Sequence, residues 1–314
     1  PPPPPPTPPP LNLRRQRQMC IRDRCCFTFF LISCEEVIEV EVPNTPPRLL
    51  VEGLIRVDEQ EAFVPVRIGL KETNSFFEEL PVTQAENIII GIERFDNDGN
   101  LIEFLTSSLA EEAPGTGIYI PDPDATFDQR IPTVFLDKNV RFTLQLSHKG
   151  RQYVAQTNYV PVVPIDFLLQ GRATLFEGDE TEVIVAFTDP AAEKNYYLFD
   201  FGPTEFLVTE DTFYQGQFFQ FSYFYVDPIE PGTELRVSIM GVDNIFYNYM
   251  DLLITQSGDQ QGIFQTPVAT VRGNVVDVTG LDNEEIVDNA NRPDVFPLGY
   301  FAIVQEQVRT ITIQ

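Results

Sequence analysis

Leu49-Leu50-Val51-Glu52-Gly53-Leu54-Ile55-Arg56-Val57 is the stretch on which the fold turns. Leu49, Val51, Ile55 and Val57 recur with a period of two, and Glu52 and Arg56 fall on the opposite face, which is the pattern of a strand with one buried side. Upstream, Val37, Ile38, Val40 and Val42 alternate more weakly before Pro43, Pro46 and Pro47 interrupt them, so residues 34 to 48 read as a tether. Downstream, strand patterns cover 62–70, 86–95, 100–105, 140–147 and 152–159, at spacings expected of an antiparallel sandwich. Between two of them, Asn97-Asp98-Gly99-Asn100 supplies the residues a tight hairpin needs. Asp96 and Asp98 suggest calcium, but Gly99 stands at the fourth position of such a loop and Ser107 at the twelfth, so the EF-hand pattern fails. His148-Lys149-Gly150 marks a second turn, where exposure of the imidazole is expected.

Pro161-Val162-Val163-Pro164 reads as a domain boundary, because two prolines without N–H groups interrupt any ladder. A second all-β unit is expected beyond it, with strands at 165–176, 181–188, 195–201, 217–226, 234–242, 299–305 and 307–313. Asp243 to Ile254 departs from this pattern. It opens with capping residues and puts Ile245, Tyr249, Leu252 and Leu253 along one helical face, predicting a short helix that covers the sheet with that face. Asp277 to Phe296 is polar and acidic and reads as a long loop. The expected architecture is therefore all-β, with two antiparallel β-sandwich-like domains in tandem and one short helix in the second. Residues 49–162 form an immunoglobulin-like or transthyretin-like sandwich and 163–314 the second unit.

The N-terminal region reads as an address. Cys20, Cys25, Cys26 and Cys34 are the four cysteines of the 314-residue chain, and all precede the folded part. Cysteine-based metal sites or nucleophiles are thus excluded from the β domains. Residues 1–24, with their polyproline run and the segment Gln16 to Arg24, are unlike an export leader and resemble translated adapter sequence. Cys25 to Ile32 is an apolar run too short to span a bilayer but suited to the core of a truncated signal segment. Leu31-Ile32-Ser33-Cys34 closes it and resembles the lipobox of bacterial lipoproteins. A small residue precedes the cleavage point there, and the following thiol takes a thioether-linked lipid. The expectation is that residues 1–33 are removed and Cys34 is lipidated, anchoring the chain without a membrane-spanning helix, since each buried CH₂ contributes about 0.8 kcal/mol.

The formal net charge is −26. The first 33 residues carry five arginines and one aspartate, so the remainder holds 16 basic against 46 acidic residues, a charge of −30. Such a chain repels phosphate backbones and anionic head groups, which argues against nucleic-acid partners and against electrostatic membrane adsorption.

Cys34-Glu35-Glu36-Val37-Ile38, Leu50-Val51-Glu52-Gly53, Asp189-Pro190 with Asn195-Tyr196-Tyr197, and Pro297-Leu298-Gly299-Tyr300-Phe301 together resemble the domain-of-unknown-function family 4249. These are envelope lipoproteins of Bacteroidota. The resemblance covers residues 34–314 and implies a sandwich followed by a second β domain. It also implies a place beside TonB-dependent outer-membrane transporters, with the cell-surface face favoured over the periplasmic one.

Chemistry is sparse. His148 is the one histidine, so any His-dependent mechanism must use it. No G-x-S-x-G, Walker or H-E-x-x-H pattern appears, and Gly115-Thr116-Gly117 stops short of a dinucleotide fingerprint. No catalytic residue, metal ligand or cofactor is nominated, and a non-enzymatic role is expected. Carboxylate-based glycan hydrolysis and a structural or adhesive surface role are the alternatives. The most distinctive patch is Phe213 to Tyr225, with Phe219, Phe221, Tyr223 and Tyr225 on one strand face and Phe218 and Phe224 on the other. The four-residue row is either core or, if its tyrosines are exposed, a surface for a ligand or partner.

Overall fold

In the computed structural model, the described residues are 46–74, 80–175, 178–202, 205–257, 271–280 and 296–314. Those from Pro46 onward belong to one compact unit spanning Asn44–Gln314. Cys34 and the tether through Thr45 lie outside the described residues, as does most of the expected loop at 277–296.

The fold is all-β and sandwich-like, with one α-helix among the described residues. Strands β1 (Leu49–Val57), β2 (Ile68–Glu72), β3 (Asn87–Phe95), β4 (Leu101–Glu111), β5 (Ile118–Pro121), β6 (Val140–His148) and β7 (Arg151–Asn158) build the first half. Strands β8 (Ile165–Gln170), β9 (Thr181–Thr188), β10 (Tyr196–Asp200), β11 (Phe206–Glu210), β12 (Phe218–Tyr225) and β13 (Glu234–Val242) build the second, followed by α1 (Asn244–Ser257), β14 (Val276–Asp277) and β15 (Leu298–Thr312). Twelve strands pair in the order β11-β10-β13-β15-β1-β2-β5-β4-β3-β6-β7-β14, and β12-β9-β8 form a separate sheet.

The alternation of β1 is realised: Leu49, Val51, Ile55 and Val57 are buried in the first core with Ile90, Phe142 and Leu144. The Asp96–Asn100 turn forms as a hairpin. Gly99 has φ +82°, and the Asp96 carboxylate accepts the backbone N–H groups of Asp98 at 3.0 Å and Asn100 at 2.8 Å. These bonds, with the Asn100 side-chain amide the largest contributor, hold the Asp96 carboxyl below its usual range.

β15 departs from expectation by running unbroken where two strands, 299–305 and 307–313, are foreseen. Its first half pairs in parallel with β1, Leu50 opposite Leu298 and Gly53 opposite Phe301. Its second half pairs antiparallel with β13. Phe301 and Ile303 fill the first core, while Ile313, at the same parity just beyond the strand, enters the second beside Phe187, Tyr197 and Phe199. On the reverse face Tyr300, Ala302 and Val304 meet α1.

Gly299 fixes how closely these strands approach. Its φ is +86°, and a Cβ there would fall 2.0 Å from the Val51 carbonyl oxygen.

The helix is present but turned. Phe246 and Met250 are its buried residues, with the Tyr249 ring tilted against Tyr300, centroids 4.8 Å apart. Ile245 is 66% exposed, and Leu252 and Leu253 are also exposed. The expected covering face is thus corrected: apolar residues occur at nearly every position from Ile245 to Ile254, so their spacing selects no single face. Asp243 caps the helix, its carboxylate accepting the Phe246 N–H at 2.8 Å.

His148 is also corrected. It is the last residue of β6 and only 3% exposed, with Nε2 2.8 Å from Thr83 Oγ1. The inward parity of Val140, Phe142, Leu144 and Leu146 carries through to it, while the turn itself is made by Lys149 (φ +49°) and Gly150 (φ +71°).

Candidate functional site

A cleft of about 730 Å³ with convergent polar groups lies where the two halves meet, a size within the usual range for small-ligand sites. Its residues arrive from three directions. Lys138 and Asn139 precede β6, Asn158 to Val163 form the crossing segment, and Pro190 with Ala192 to Tyr197 lead into β10. Asp243 and Asn244 close it at the start of α1.

The crossing segment is held tightly. Val162 N–H donates to Gln305 Oε1 at 2.6 Å, and a Cβ on Gly241 of β13 would sit 2.5 Å from the Pro161 oxygen. Tyr159 is buried beneath it and donates to Glu59 at 2.9 Å. Burial, reinforced by Glu59, pushes the Tyr159 phenol far up.

Under the β10 side lies a polar knot. Tyr197 donates to Asp189 Oδ1 at 2.5 Å, and Gly216 N–H donates to Asp189 Oδ2 at 2.8 Å. Asp189 is 3% exposed and Tyr197 2%. Burial first, then the Asp189 carboxylate, drives the Tyr197 phenol strongly upward, so it remains a donor across the physiological range. Beside it, Asn195 N–H donates to buried Asp211 Oδ2 at 2.8 Å, and Asp211 N–H returns a bond to the Asn195 carbonyl at 3.2 Å. Among the described residues, the buried Asn195 side-chain oxygen has no hydrogen-bond partner.

The rim is charged and paired. Lys138 bridges the cleft mouth to Glu193 at 2.8 Å, a bond that raises the Lys138 pKa. Lys194 pairs with Glu210 at 2.7 Å and lies over the Tyr196 ring at 5.0 Å. The lining thus offers four asparagines, three tyrosines and two lysines. That set suits hydrogen bonding to a small polar molecule. Its carboxylates, Glu193 and Asp243, are occupied by Lys138 and by the helix cap.

The sequence singled out Asp189-Pro190 and Asn195-Tyr196-Tyr197, and the fold brings Pro190 and the second fragment to the cleft lining, with buried Asp189 bonded to Tyr197. Leu50-Val51-Glu52-Gly53 and Leu298-Gly299-Tyr300-Phe301 likewise become neighbours in one parallel ladder. The aromatic row lies elsewhere. Phe219, Phe221 and Tyr223 are half-buried and Tyr225 buried, facing the second core. Tyr223 stacks on Phe201 at 3.8 Å and Phe219 on Tyr214 at 4.2 Å. The Tyr225 hydroxyl donates to the Phe201 carbonyl at 2.6 Å and the Tyr223 hydroxyl to Glu205. On the reverse face Phe218 is exposed beside Phe167. Cys34, the lipidation candidate, lies outside the described residues. Sequence reading missed the cleft as a whole, because Lys138, Asn158 and Asn244 carry no local signal and meet only through the fold.

Among the described residues no group of three or more His, Cys, Asp or Glu side chains is placed to hold a metal ion, and no helix is long and apolar enough to cross a membrane. The sequence matches the family described as "Domain of unknown function (DUF4249)" over residues 35–281. No curated protein matches it. Among solved structures, red sea bream transglutaminase is similar at 10% identity and a TM-score of 0.23, over 86% of this chain and 32% of that one. The chain therefore spans about a third of that protein's length.

Proposed function

The chain belongs to the DUF4249 family, and from that premise we propose that it is a lipid-anchored binding or accessory subunit of an outer membrane of the Bacteroidota type. In this reading it works without catalysis beside a TonB-dependent β-barrel transporter. The observation that carries the proposal is Leu31-Ile32-Ser33-Cys34, directly ahead of the point where the family match begins at residue 35. A lipid on Cys34 would tether the compact unit through residues 35–48. The unit itself supports binding over chemistry: the one histidine is tied to Thr83 away from the cleft, and the carboxylates of the cleft are engaged by Lys138 and the helix cap.

The test is purification of a tagged full-length copy from native envelopes in mild detergent. Recovery with a β-barrel protein is the expected result, and recovery of the chain alone would overturn the accessory role. Replacing Cys34 with Ser should release the protein and abolish fatty-acid labelling; continued labelling would remove the anchor from the reading.

A further inference from the structure

β4 is paired with β3 from Leu101 to Ser108, but on the other side β5 reaches only Leu109–Glu111. Ser107 and Ser108 are covered by Gln129, whose carbonyl accepts the Ser107 hydroxyl at 2.7 Å and whose side-chain oxygen accepts the Ser108 N–H at 2.8 Å. From Leu101 to Thr106 the outer edge has no strand beside it among the described residues. Six residues make an open ladder of about 20 Å.

Folded proteins usually blunt such an edge with lysine, proline or a covering loop. Here it is apolar on both faces. Leu101 is 53% exposed, Ile102 58%, Phe104 58% and Leu105 36%. Phe104 lies against Gly91 of β3, 3.4 Å from where a Cβ would stand, leaving its other ring face to solvent. Phe127, near the Gln129 end, is 78% exposed. Two of the other edge strands differ: β11 packs against α1, and the inward row of β12 is committed to the second core.

Both ends of the open edge are acidic. Asp96 and Asp98 flank Leu101, and Asp122, whose N–H donates to the Ser108 carbonyl at 2.9 Å, begins a loop that also carries Asp124. The nearby cations are neutralised, Arg94 by Glu103 and Asp137 and Arg130 by Asp128.

We propose that the Leu101–Thr106 edge of β4 receives an extended segment of a partner protein as an added strand, apolar in alternation and basic at its ends. Unpaired backbone groups along the edge would supply the ladder, the exposed apolar side chains the grip, and the aspartates at its ends the choice of a basic segment. A second copy of this chain is the poorer occupant, since its own edge is equally acidic at both ends. The inference stands independently of the anchoring reading.

The experiment uses the full chain and two fluorescent peptides of alternating Val and Thr, one flanked by Lys and one by Glu. Anisotropy should show the Lys-flanked peptide binding at least about tenfold more tightly at low salt, with the difference shrinking as salt rises. Hydrogen exchange should show the Leu101–Thr106 amides fast in the free protein and slowed by that peptide. Phe104→Lys should weaken binding by about tenfold or more, while Leu253→Lys, at an exposed helix position, should leave it unchanged. The proposal is overturned if neither peptide binds, if Phe104→Lys binds as well as the parent, or if these amides are already protected in the free protein, which would mean the edge is covered by its own chain or by a second copy.

Discussion

Tyr197→Phe removes one oxygen from a site where almost nothing can replace it. The hydroxyl donates to Asp189 Oδ1 at 2.5 Å, and both side chains are nearly inaccessible. Without it, Asp189 keeps only the Gly216 N–H on its other oxygen. An unmade hydrogen bond to a buried acceptor costs about 1–3 kcal/mol, and with so little solvent access we take about 2 kcal/mol. For a unit of this size that is a fall in Tm of roughly 4–8 °C. Urea unfolding of the parent, Tyr197→Phe, Asp189→Ala and the double variant gives the pair coupling directly. Asp189→Ala forfeits the Gly216 bond as well and should lose more, but once it is made, Tyr197→Phe should add little. The double variant should then be more stable than the sum of the singles predicts by about 1.5 kcal/mol. If Tyr197→Phe costs under about 0.5 kcal/mol, or the two losses simply add, the knot does not anchor the cleft floor as the geometry requires.

Desolvation, the largest influence on His148, lowers its pKa below the ordinary 6.5 despite the opposing Glu72. The unfolded chain therefore takes up this proton first, and stability should fall as the pH drops from about 6.5 toward the folded value and then level. His148→Gln should remove that component, which urea midpoints at pH 7.5 and 5.5 will reveal; equal losses in parent and variant would count against it. On α1, Ile245→Lys should change stability by less than about 0.5 kcal/mol, whereas Phe246→Ala should cost about 3–5 kcal/mol. Thermal unfolding that ranked the two the other way would restore the face first read from the sequence. Gly299→Ala should cost on the order of 3 kcal/mol or more, because it combines a positive φ with a Cβ pressed into the Val51 carbonyl. Native-like soluble yield and Tm for that variant would show the parallel β1–β15 contact to be looser than described.

Where one face is buried and the other wet, the alternating sequence announces itself, and β1, β3, β6 and β7 were legible for that reason, whereas β9 and most of β13 are buried on both faces and were legible as apolar runs. β5 and β14 were not, being four and two residues long, and β11 was missed because all five of its residues sit half-buried, so no alternation is written into them. His148 could have been found: four inward residues of the same parity lead straight to it, and the turn signal of Lys149-Gly150 outweighed that evidence. The helix was legible from its cap, but its face was not, since a dense apolar segment leaves the choice to whatever packs against it. The cleft lies further still from local signal. Its side chains come from segments spread between residues 138 and 244, and only the two fragments around Asp189 and Tyr197 hinted that they lie together.

The gap foreseen at Glu306, between strands at 299–305 and 307–313, falls within three polar residues, Gln305-Glu306-Gln307. In the fold they mark where β15 leaves one core for the other, and their polarity is the reason the crossing works. Glu306 accepts Arg56 from β1 at 3.2 Å and Arg236 from β13 at 3.0 Å, while Arg56 also reaches Asp200 of β10 at 2.5 Å. Gln305 holds the Val162 N–H of the crossing segment. An apolar residue at 305 would leave the part-buried Val162 N–H without this partner, and one at 306 would leave Arg56 with Asp200 alone and remove the carboxylate that Arg236 pairs with. The same placement links the cores in folding. Phe301 and Ile303 complete a core whose other strands lie mostly between residues 49 and 158, so that core cannot close until the last strand arrives. Pairing between β1 and β15 closes a loop of more than two hundred residues, a contact that carries a large chain-entropy cost. The cleft, bounded by Val162 on the crossing segment and by β10 beside β13, is therefore assembled only in the completed unit.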